Sequence, residues 1–241
     1  MSGPFLLPDW PAPAGVHALV TTRAGGASVG PWHGLNLGTH VGDDPAHVAL
    51  NRAWLRAHLP AEPLWLNQVH GTDCVLAESV LEACTADASV SFAAARVCAV
   101  LTADCLPVLF CSLDGKAVGA AHAGWRGLLA GVLENTVHQM QSPPAEILAW
   151  LGPAIGPQAF EVGAEVRAAF VAHDSAAAAA FVVRGDKWLA DIYLLARQRL
   201  QAVGVNSIHG GGLCTVSDEL RFYSYRRDGA TGRMASLIWR E

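Results

Sequence analysis

Short apolar runs, broken at close intervals by glycine, proline and polar turns, form the dominant pattern of this 241-residue chain. Runs rich in β-branched and aromatic residues that end in such a break predict β-strands. The predicted strands cover residues 16–22, 64–69, 72–76, 86–92, 97–102, 107–111, 116–121, 147–151, 181–184 and 205–209, with two more around Asp228-Gly229 in residues 222–240.

Apolar residues recur at helical spacing in other stretches. Asp43 and Asp44 precede Pro45, which suits the first turn of a helix that Pro60 ends. Further helices are predicted over residues 128–140, 162–170 and 192–203. Strands outnumber helices and alternate with them, without an evident linker or internal repeat. The sequence therefore predicts one α/β (α+β) domain over residues 1–241, in which helices pack on a mixed sheet.

Composition narrows the range of functions. Hydrophobic residues make up 52% of the chain and charged residues 15%, which predicts a sizeable core and argues against disorder. The net charge of -5 gives no electrostatic reason to expect nucleic acid or an anionic membrane as a partner. We see neither a signal peptide nor an apolar run of membrane-spanning length, so we expect a cytoplasmic protein that does not bind membranes.

Cysteine and histidine supply the candidate chemistry. The six cysteines include no CxxC pair, so neither a structural zinc knuckle nor a disulfide framework is expected. His70, Cys105 and His122 share one context, since each follows an apolar run and precedes a glycine or proline within two residues. If those strands are neighbours, the three side chains meet and suit a zinc ion with one coordination position left open.

Two other interpretations of this trio remain open. Cys105 could be an ordinary buried thiol, with the histidines closing strand ends. Alternatively, Cys105 and His122 could form a nucleophile and its base without a metal.

Residues beside the trio have candidate roles of their own. Asp104 could handle protons or orient a ligand imidazole, or it could simply close a turn. Arg126 lies between two glycines at a predicted helix start, where it could hold a phosphate or carboxylate, or form a surface ion pair. The long glycine-rich stretch over residues 24–44 is predicted to be an ordered functional loop, in which the role of His33 and His40 stays undecided.

Sequence motifs extend this picture to a family. The chain contains TTRAGGAS, LNLGTHVGDD, NQVHG, TADCLPVLF, AHAGWRG, LGPAIG and YSYRRDGATGRMA. Together these motifs resemble the YfiH family, also called the laccase-domain (multicopper polyphenol oxidoreductase) or peptidoglycan editing factor family. The resemblance runs from about Thr21 to the end of the chain.

The resemblance implies a single domain of mixed sheets layered between helices (α/β/β/α), related to the cytotoxic necrotising factor hydrolases. It also implies a zinc site on His70, Cys105 and His122. Asp104 and Cys105 are the catalytic candidates, and Arg23 and Arg126 the substrate-binding candidates.

The activities that the resemblance implies are diverse. One is zinc-dependent phosphorolysis of purine nucleosides (adenosine, inosine, methylthioadenosine), with adenosine deamination. Alternatives are an editing hydrolase for peptidoglycan precursors and a copper-dependent polyphenol oxidase. The chain has no HxH pair of the kind that multicopper oxidases use, although Cu2+ could occupy the same three ligands. We expect a monomer or homodimer that acts on a small molecule, and a metal-binding module without enzymatic activity is the remaining alternative.

Overall fold

The computed structural model describes residues 3–80 and 84–241. Its strands are β1 (Phe5–Leu6), β2 (Val16–Thr21), β3 (Pro63–Leu64), β4 (Cys74–Leu76), β5 (Ala88–Ser91), β6 (Val97–Thr102), β7 (Leu106–Ser112), β8 (Val118–Ala123), β9 (Ile147–Leu151), β10 (Glu161–Val162), β11 (Phe181–Arg184), β12 (Lys187–Ala190), β13 (Ser207–Gly210) and β14 (Met234–Arg240). Its α-helices are α1 (Pro45–Arg56), α2 (Trp125–Ala130), α3 (Val132–Gln139), α4 (Ala164–His173), α5 (Ile192–Ala202) and α6 (Tyr225–Asp228).

Two mixed sheets form the centre of the fold. One has the strand order β1-β2-β14-β6-β3 and the other β13-β9-β7-β8-β5-β4, while β10, β12 and β11 form a small third sheet. Every residue of β6, β7, β8 and β9 is buried. Strands covered on both faces are apolar throughout, which explains the near-continuous apolar runs of this region.

The buried side chains define the layers. Val100 of β6 and Ile238 of β14 pack with Leu109 of β7 and Val118 of β8, so the two large sheets face each other across one core. A second core joins the other face of the six-stranded sheet to α2, α3 and α5, and a third joins the five-stranded sheet to α1. The predicted α/β/β/α layering and mixed fold are therefore confirmed.

Several predicted elements are confirmed with small changes at their ends. The helix predicted after Asp44 is α1, and the Asp44 side chain accepts a hydrogen bond from the Ala46 N–H at 2.8 Å. The strand over residues 97–102 is β6 and that over 181–184 is β11. Capping chemistry and buried apolar runs are local signals, and here the tertiary structure agrees with them.

Other predictions of secondary structure are wrong. The strand predicted over residues 64–69 ends at Leu64, and the helix predicted over 128–140 is divided at Gly131, whose φ is +108°. In the C-terminal segment, the first of two predicted strands is instead the single helical turn α6. The strand predicted over 116–121 extends to Ala123, so His122 lies inside β8 rather than in the loop after it. In the described part of the chain, no helix is long and apolar enough to cross a membrane.

Candidate metal centre and the cavities beside it

His70, Cys105 and His122 come together as predicted. One ligand atom from each lies within 4.8 Å of the other two, and Cys105 Sγ is 3.7 Å from His70 Nε2. Cys105 directly precedes β7, and the antiparallel register pairs Pro107 of β7 with His122 of β8. Two imidazoles and a thiol form a donor set that fits Zn2+ and also accepts copper.

Asp87 fixes the buried member of the trio, His122. It precedes β5, and β5 pairs with β8, so that the Asp87 carboxylate Oδ1 lies 2.7 Å from His122 Nδ1. Only 3% of His122 is exposed. A carboxylate on one imidazole nitrogen sets the tautomer and leaves the other nitrogen, Nε2, for a metal. Asp87 was not predicted from the sequence. The signal that could have identified it is an acidic residue beside an apolar run.

The same carboxylate also holds the segment that carries His70. Val69, His70 and Gly71 donate their backbone N–H groups to Asp87 at 3.1, 3.0 and 2.7 Å. His70 adopts φ +60°, which is costly for a residue with a side chain and persists only where the surroundings fix it. His70 is therefore delivered by a carboxylate-bound loop, because these N–H groups bond to Asp87 rather than to a neighbouring strand.

Glycines after His122 leave room for the ligands. A Cβ at Gly124 would lie 2.7 Å from His70 Cδ2 and 3.1 Å from Cys105 Sγ. A Cβ at Gly127 would lie 2.7 Å from the carbonyl oxygen of Gly71. Contacts below 3.0 Å force a shift of the neighbouring atoms, so both glycines of the AHAGWRG motif permit close packing against the His70 loop.

The charges of Cys105 and His122 depend on each other. Burial alone would raise the pKa of the Cys105 thiol, but the neighbouring imidazoles of His122 and His70 outweigh it and lower that pKa to about 6. Burial likewise opposes protonation of His122, while the Cys105 thiolate and the Asp87 carboxylate raise its pKa to about 9. Near neutral pH the metal-free site therefore holds a thiolate beside an imidazolium.

The Asp104 carboxylate is engaged by distant parts of the chain. Its Oδ1 accepts a hydrogen bond from Thr215 Oγ1 and its Oδ2 accepts one from the Arg226 N–H, both at 2.6 Å. Its backbone φ is +89°, again outside the usual range. Asp104 thus ties α6 to the Cys105 loop; the proton-handling role expected for it stays a prediction.

The structure does not bring the two predicted substrate-binding arginines to the trio. The Arg126 guanidinium lies 4.5 Å above the ring of Trp125, and Arg126 is exposed. The Arg23 guanidinium lies 4.8 Å from the ring of Tyr223 and donates to the Glu219 carbonyl. Neither lines the cavities described next, and their binding roles stay predictions.

Two cavities open beside Cys105, one apolar and one polar. The apolar cavity, of about 150 Å³, is lined by Trp125, Ile155, Phe160 and Ile192, together with the charged residues Asp104 and Arg226. The polar cavity, of about 400 Å³, is lined by His40, Gln68, His70, His122 and Arg233. Ala103, Cys105 and Tyr225 line both. Sequence reasoning had left His40 undecided and had missed Tyr225, Arg226 and Arg233.

Comparison with known proteins places these observations in context. The family model described as multi-copper polyphenol oxidoreductase laccase matches residues 17–241. The purine nucleoside phosphorylase YfiH of Escherichia coli K12 is 59% identical over 238 residues, with 98% of each chain covered. A purine nucleoside phosphorylase of Pseudomonas aeruginosa is 57% identical over 237 residues, again with 98% of each chain covered.

Solved structures share the fold. A Neisseria meningitidis protein of the family DUF152 superposes with a TM-score of 0.96 at 53% identity, covering 99% of this chain and 100% of that chain. YlmD of Geobacillus stearothermophilus superposes with a TM-score of 0.92 at 31% identity, covering 100% and 97%. The mixed architecture described above is therefore an architecture that these proteins share.

Proposed function

Since this chain belongs to the multi-copper polyphenol oxidoreductase laccase family, we propose that it acts within that family as a purine nucleoside phosphorylase. The observation that carries the proposal is the position of the His70, Cys105 and His122 trio where an apolar and a polar cavity meet. A nucleoside phosphorylase needs one place for a flat base and another for a charged nucleophile. Relatives with 57–59% identity are named purine nucleoside phosphorylases.

The apolar cavity suits a purine ring. Its walls include the aromatic rings of Trp125 and Phe160 and the aliphatic side chain of Ile155. An apolar cavity of about 150 Å³ is large enough to hold benzene, and aromatic faces stack on nucleobases. Cys105 and Tyr225 line both cavities, so a nucleoside with its base in the apolar cavity would place its ribose near the polar cavity, where phosphate would lie.

The reaction requires no oxidant or reductant. A phosphate oxygen forms a bond to C1′ of the ribose as the bond from C1′ to N9 breaks. The electron pair of the broken bond leaves with the purine, which takes up a proton. The products are ribose 1-phosphate and the free base. The chain contributes by holding base, sugar and phosphate in one geometry while keeping the apolar side dry.

The metal proposed for this site is a single Zn2+ ion held by His70, Cys105 and His122. Such an ion would supply a Lewis acid at the wall shared with the polar cavity. Asp87 keeps His122 Nε2 directed away from its own carboxylate, and the thiolate form of Cys105 is favoured near neutral pH. Among the described residues, this trio is the one group of three or more side chains that could hold a metal ion. This supports a single metal ion rather than the several copper ions of a four-electron oxidase.

Adenosine deamination is proposed as a second activity of the same site. Water would add its oxygen to C6 of adenosine as the bond from C6 to the exocyclic amine breaks, giving inosine and ammonia without phosphate. The supporting observation is again the trio of ligands beside a cavity fit for a purine. Inosine appearing from adenosine in phosphate-free buffer would support it, and adenine as the sole product in phosphate would count against it.

A thiol hydrolase, such as an editing enzyme for cell-wall precursors, is the second candidate function. The thiolate–imidazolium pair of Cys105 and His122 favours it, because that pair resembles the activated nucleophile of cysteine hydrolases. An acyl group trapped on Cys105 in chelator-treated protein would support this candidate. Full activity of that protein on a nucleoside, with no trapped acyl group, would exclude it.

The direct test uses protein of defined metal content. Metal-free, zinc-loaded and copper-loaded samples are each incubated with inosine, adenosine or methylthioadenosine, with and without phosphate. We expect free base and a ribose 1-phosphate (its 5-methylthio form from methylthioadenosine) only with phosphate present, and most rapidly in the zinc-loaded sample. Absence of base release from all three nucleosides would contradict the proposed function, and oxidation of a phenol by the copper-loaded sample alone would favour the oxidase.

A further inference from the structure

The polar cavity contains two side chains that can carry positive charge and that come from distant parts of the chain. His40 lies in the glycine-rich loop before α1, and Arg233 directly precedes β14. Both line the same cavity as His70, Cys105 and His122. No carboxylate is among the residues that line this cavity in the described part of the chain. The Cys105 thiolate on this wall and the nearby Asp104 carboxylate bring negative charge towards Arg233. With the proposed Zn2+ on the thiolate, the Arg233 guanidinium leaves the wall suited to a negatively charged group.

Arg233 is held by its backbone neighbours in a way that leaves donors free. Its Nη1 donates to the carbonyl oxygens of Thr231 and Gly232 at 3.2 and 3.0 Å. Its Nε and Nη2 groups make no hydrogen bond to a described residue, although the side chain is largely enclosed. A guanidinium that is fixed at one edge, in a residue that lines a cavity, is preorganised to bind a tetrahedral oxyanion.

Gly38 makes the position of Arg233 possible. A Cβ at Gly38 would lie 2.8 Å from Cγ and 3.2 Å from Cβ of Arg233. These atoms belong to the base of the side chain rather than its flexible end, so a side chain at residue 38 would displace the guanidinium. The LNLGTH stretch thus leaves space for an arginine from near the other end of the chain.

The loop that carries His40 is bonded to the same arginine. Asn36 Oδ1 accepts the N–H groups of both Gly38 and Arg233 at 2.9 Å. Arg52 Nε donates to the Leu37 carbonyl at 3.0 Å. Partial burial, followed by the charges of Arg233 and Arg52, lowers the pKa of His40, as expected in a locally positive environment. With its pKa lowered, His40 is mostly neutral near pH 7, so it would offer an anion a hydrogen bond while Arg233 supplies the positive charge.

We propose that Arg233 and His40 form the subsite that binds inorganic phosphate, the nucleophile of phosphorolysis. This inference rests on the proposed function and adds to it the place of the second substrate. With the base in the apolar cavity, C1′ of the ribose would lie near the shared Cys105 and Tyr225 wall. Phosphate on Arg233 would then face C1′ from the side opposite the base, which is the direction from which the bond to N9 is displaced.

The test varies phosphate and inosine separately in the zinc-loaded enzyme. In Arg233→Met we expect KM for phosphate to rise about 10- to 100-fold, the effect of losing a charged hydrogen bond, while KM for inosine stays within about threefold. Gly38→Ala should raise KM for phosphate in the same direction by displacing the guanidinium. Arsenate should replace phosphate and show the same dependence on Arg233.

Arg240→Met is the matched control. Arg240 lies at the other end of β14, and its guanidinium likewise binds two carbonyl oxygens, those of Gly115 and Phe92, at 3.1 and 2.9 Å. Arg240→Met removes hydrogen bonds from an arginine to carbonyl oxygens but leaves the proposed phosphate subsite intact. Both KM values should therefore stay unchanged. Melting temperatures of all variants, measured with and without inorganic phosphate, show whether each folds and give a second readout of phosphate binding.

Three results would overturn the subsite. The first is an unchanged KM for phosphate in a folded Arg233→Met enzyme. The second is an equal stabilisation of wild type and Arg233→Met by phosphate, which decides the question even if no nucleoside is cleaved. The third is the finding that Arg233→Met weakens binding of a nucleoside 5′-monophosphate but leaves KM for phosphate unchanged. Arg233 would then bind the substrate's own phosphate group rather than inorganic phosphate. Failure of wild type to release any base would instead contradict the proposed function.

Discussion

The two sides of this site are built in different ways. The metal side uses His70, Cys105 and His122, which lie on neighbouring strands and loops, and the single carboxylate of Asp87 joins the two histidines. The substrate side gathers His40, Phe160, Tyr225 and Arg233 from widely separated parts of the chain. Sheet register brings Cys105 and His122 together, whereas His40 and Arg233 lie near opposite ends of the chain and only the tertiary fold places them on one cavity. The first side is therefore readable from local pattern and the second is not.

Of the substitutions that test this difference between the two sides, removal of the Cys105 thiol should have the largest effect. In Cys105→Ala we expect metal content to fall to background and phosphorolysis to fall to the uncatalysed rate, because two imidazoles alone hold zinc poorly. Elemental analysis and base release measure the two quantities. Cys214→Ala is the control, since Cys214 is also partly exposed but lies outside the trio. Activity retained by Cys105→Ala would contradict a role for the metal side.

The second prediction concerns the ionisation of Cys105 in metal-free protein. Alkylation at this residue, followed by mass spectrometry of the peptide, should rise with a midpoint at about pH 6. At pH 7 that gives roughly thirtyfold more thiolate than an unperturbed cysteine of pKa about 8.5 would have. Because the folded pKa lies below the unfolded value, the thiolate stabilises the metal-free fold above the unfolded pKa, and this stability is lost as pH falls through about 6. A midpoint above pH 8 would contradict the thiolate–imidazolium pair.

The third prediction concerns Asp87, whose carboxylate connects the two histidines of the trio. In Asp87→Asn we expect zinc affinity to fall about 10- to 100-fold, the usual cost of losing a carboxylate that orients a metal-binding histidine. Competition with a chromogenic chelator measures this affinity. Asp114→Asn is the control, since Asp114 organises a surface turn through Ser112 and Lys116. Unchanged affinity in Asp87→Asn would mean that the His70 loop holds its position without the carboxylate.

The fourth prediction addresses the apolar cavity. Trp125→Leu should raise KM for inosine about tenfold, because it removes a surface on which the base stacks, while KM for phosphate changes little. Trp188→Leu is a close match, since an arginine lies 4.3 Å above the Trp188 ring just as Arg126 lies 4.5 Å above Trp125. Equal effects of the two substitutions would indicate general destabilisation rather than base binding.

The smallest effect is expected at Arg126. The side chain is exposed and stacks on the outer part of the site, so Arg126→Gln should change KM for phosphate by less than about twofold, as surface charges usually contribute little. Parallel measurements on Arg126→Gln and Arg233→Met decide between the arginine favoured by the sequence and the one favoured by the structure. A larger effect at Arg126 would restore the sequence-based assignment.

Local signals in the sequence predict a mixed α/β domain and single out His70, Cys105 and His122, whereas the α/β/β/α layering is predicted by the family resemblance. Buried strands such as β6 appear as continuous apolar runs, and the ligands follow such runs. His70 shows the limit, since its position depends on N–H groups donated to a carboxylate that follows it along the chain. Arg233 marks a further limit, because a guanidinium that fits against Gly38 leaves no periodic pattern in either segment.

Phosphorus-31 NMR of zinc-loaded protein with inosine and phosphate tests the central claim most directly. The account predicts that the inorganic phosphate signal decreases while a ribose 1-phosphate signal grows, with hypoxanthine released in equal amount. A sample with bound zinc that leaves the phosphate signal unchanged, with inosine and with adenosine, would contradict it.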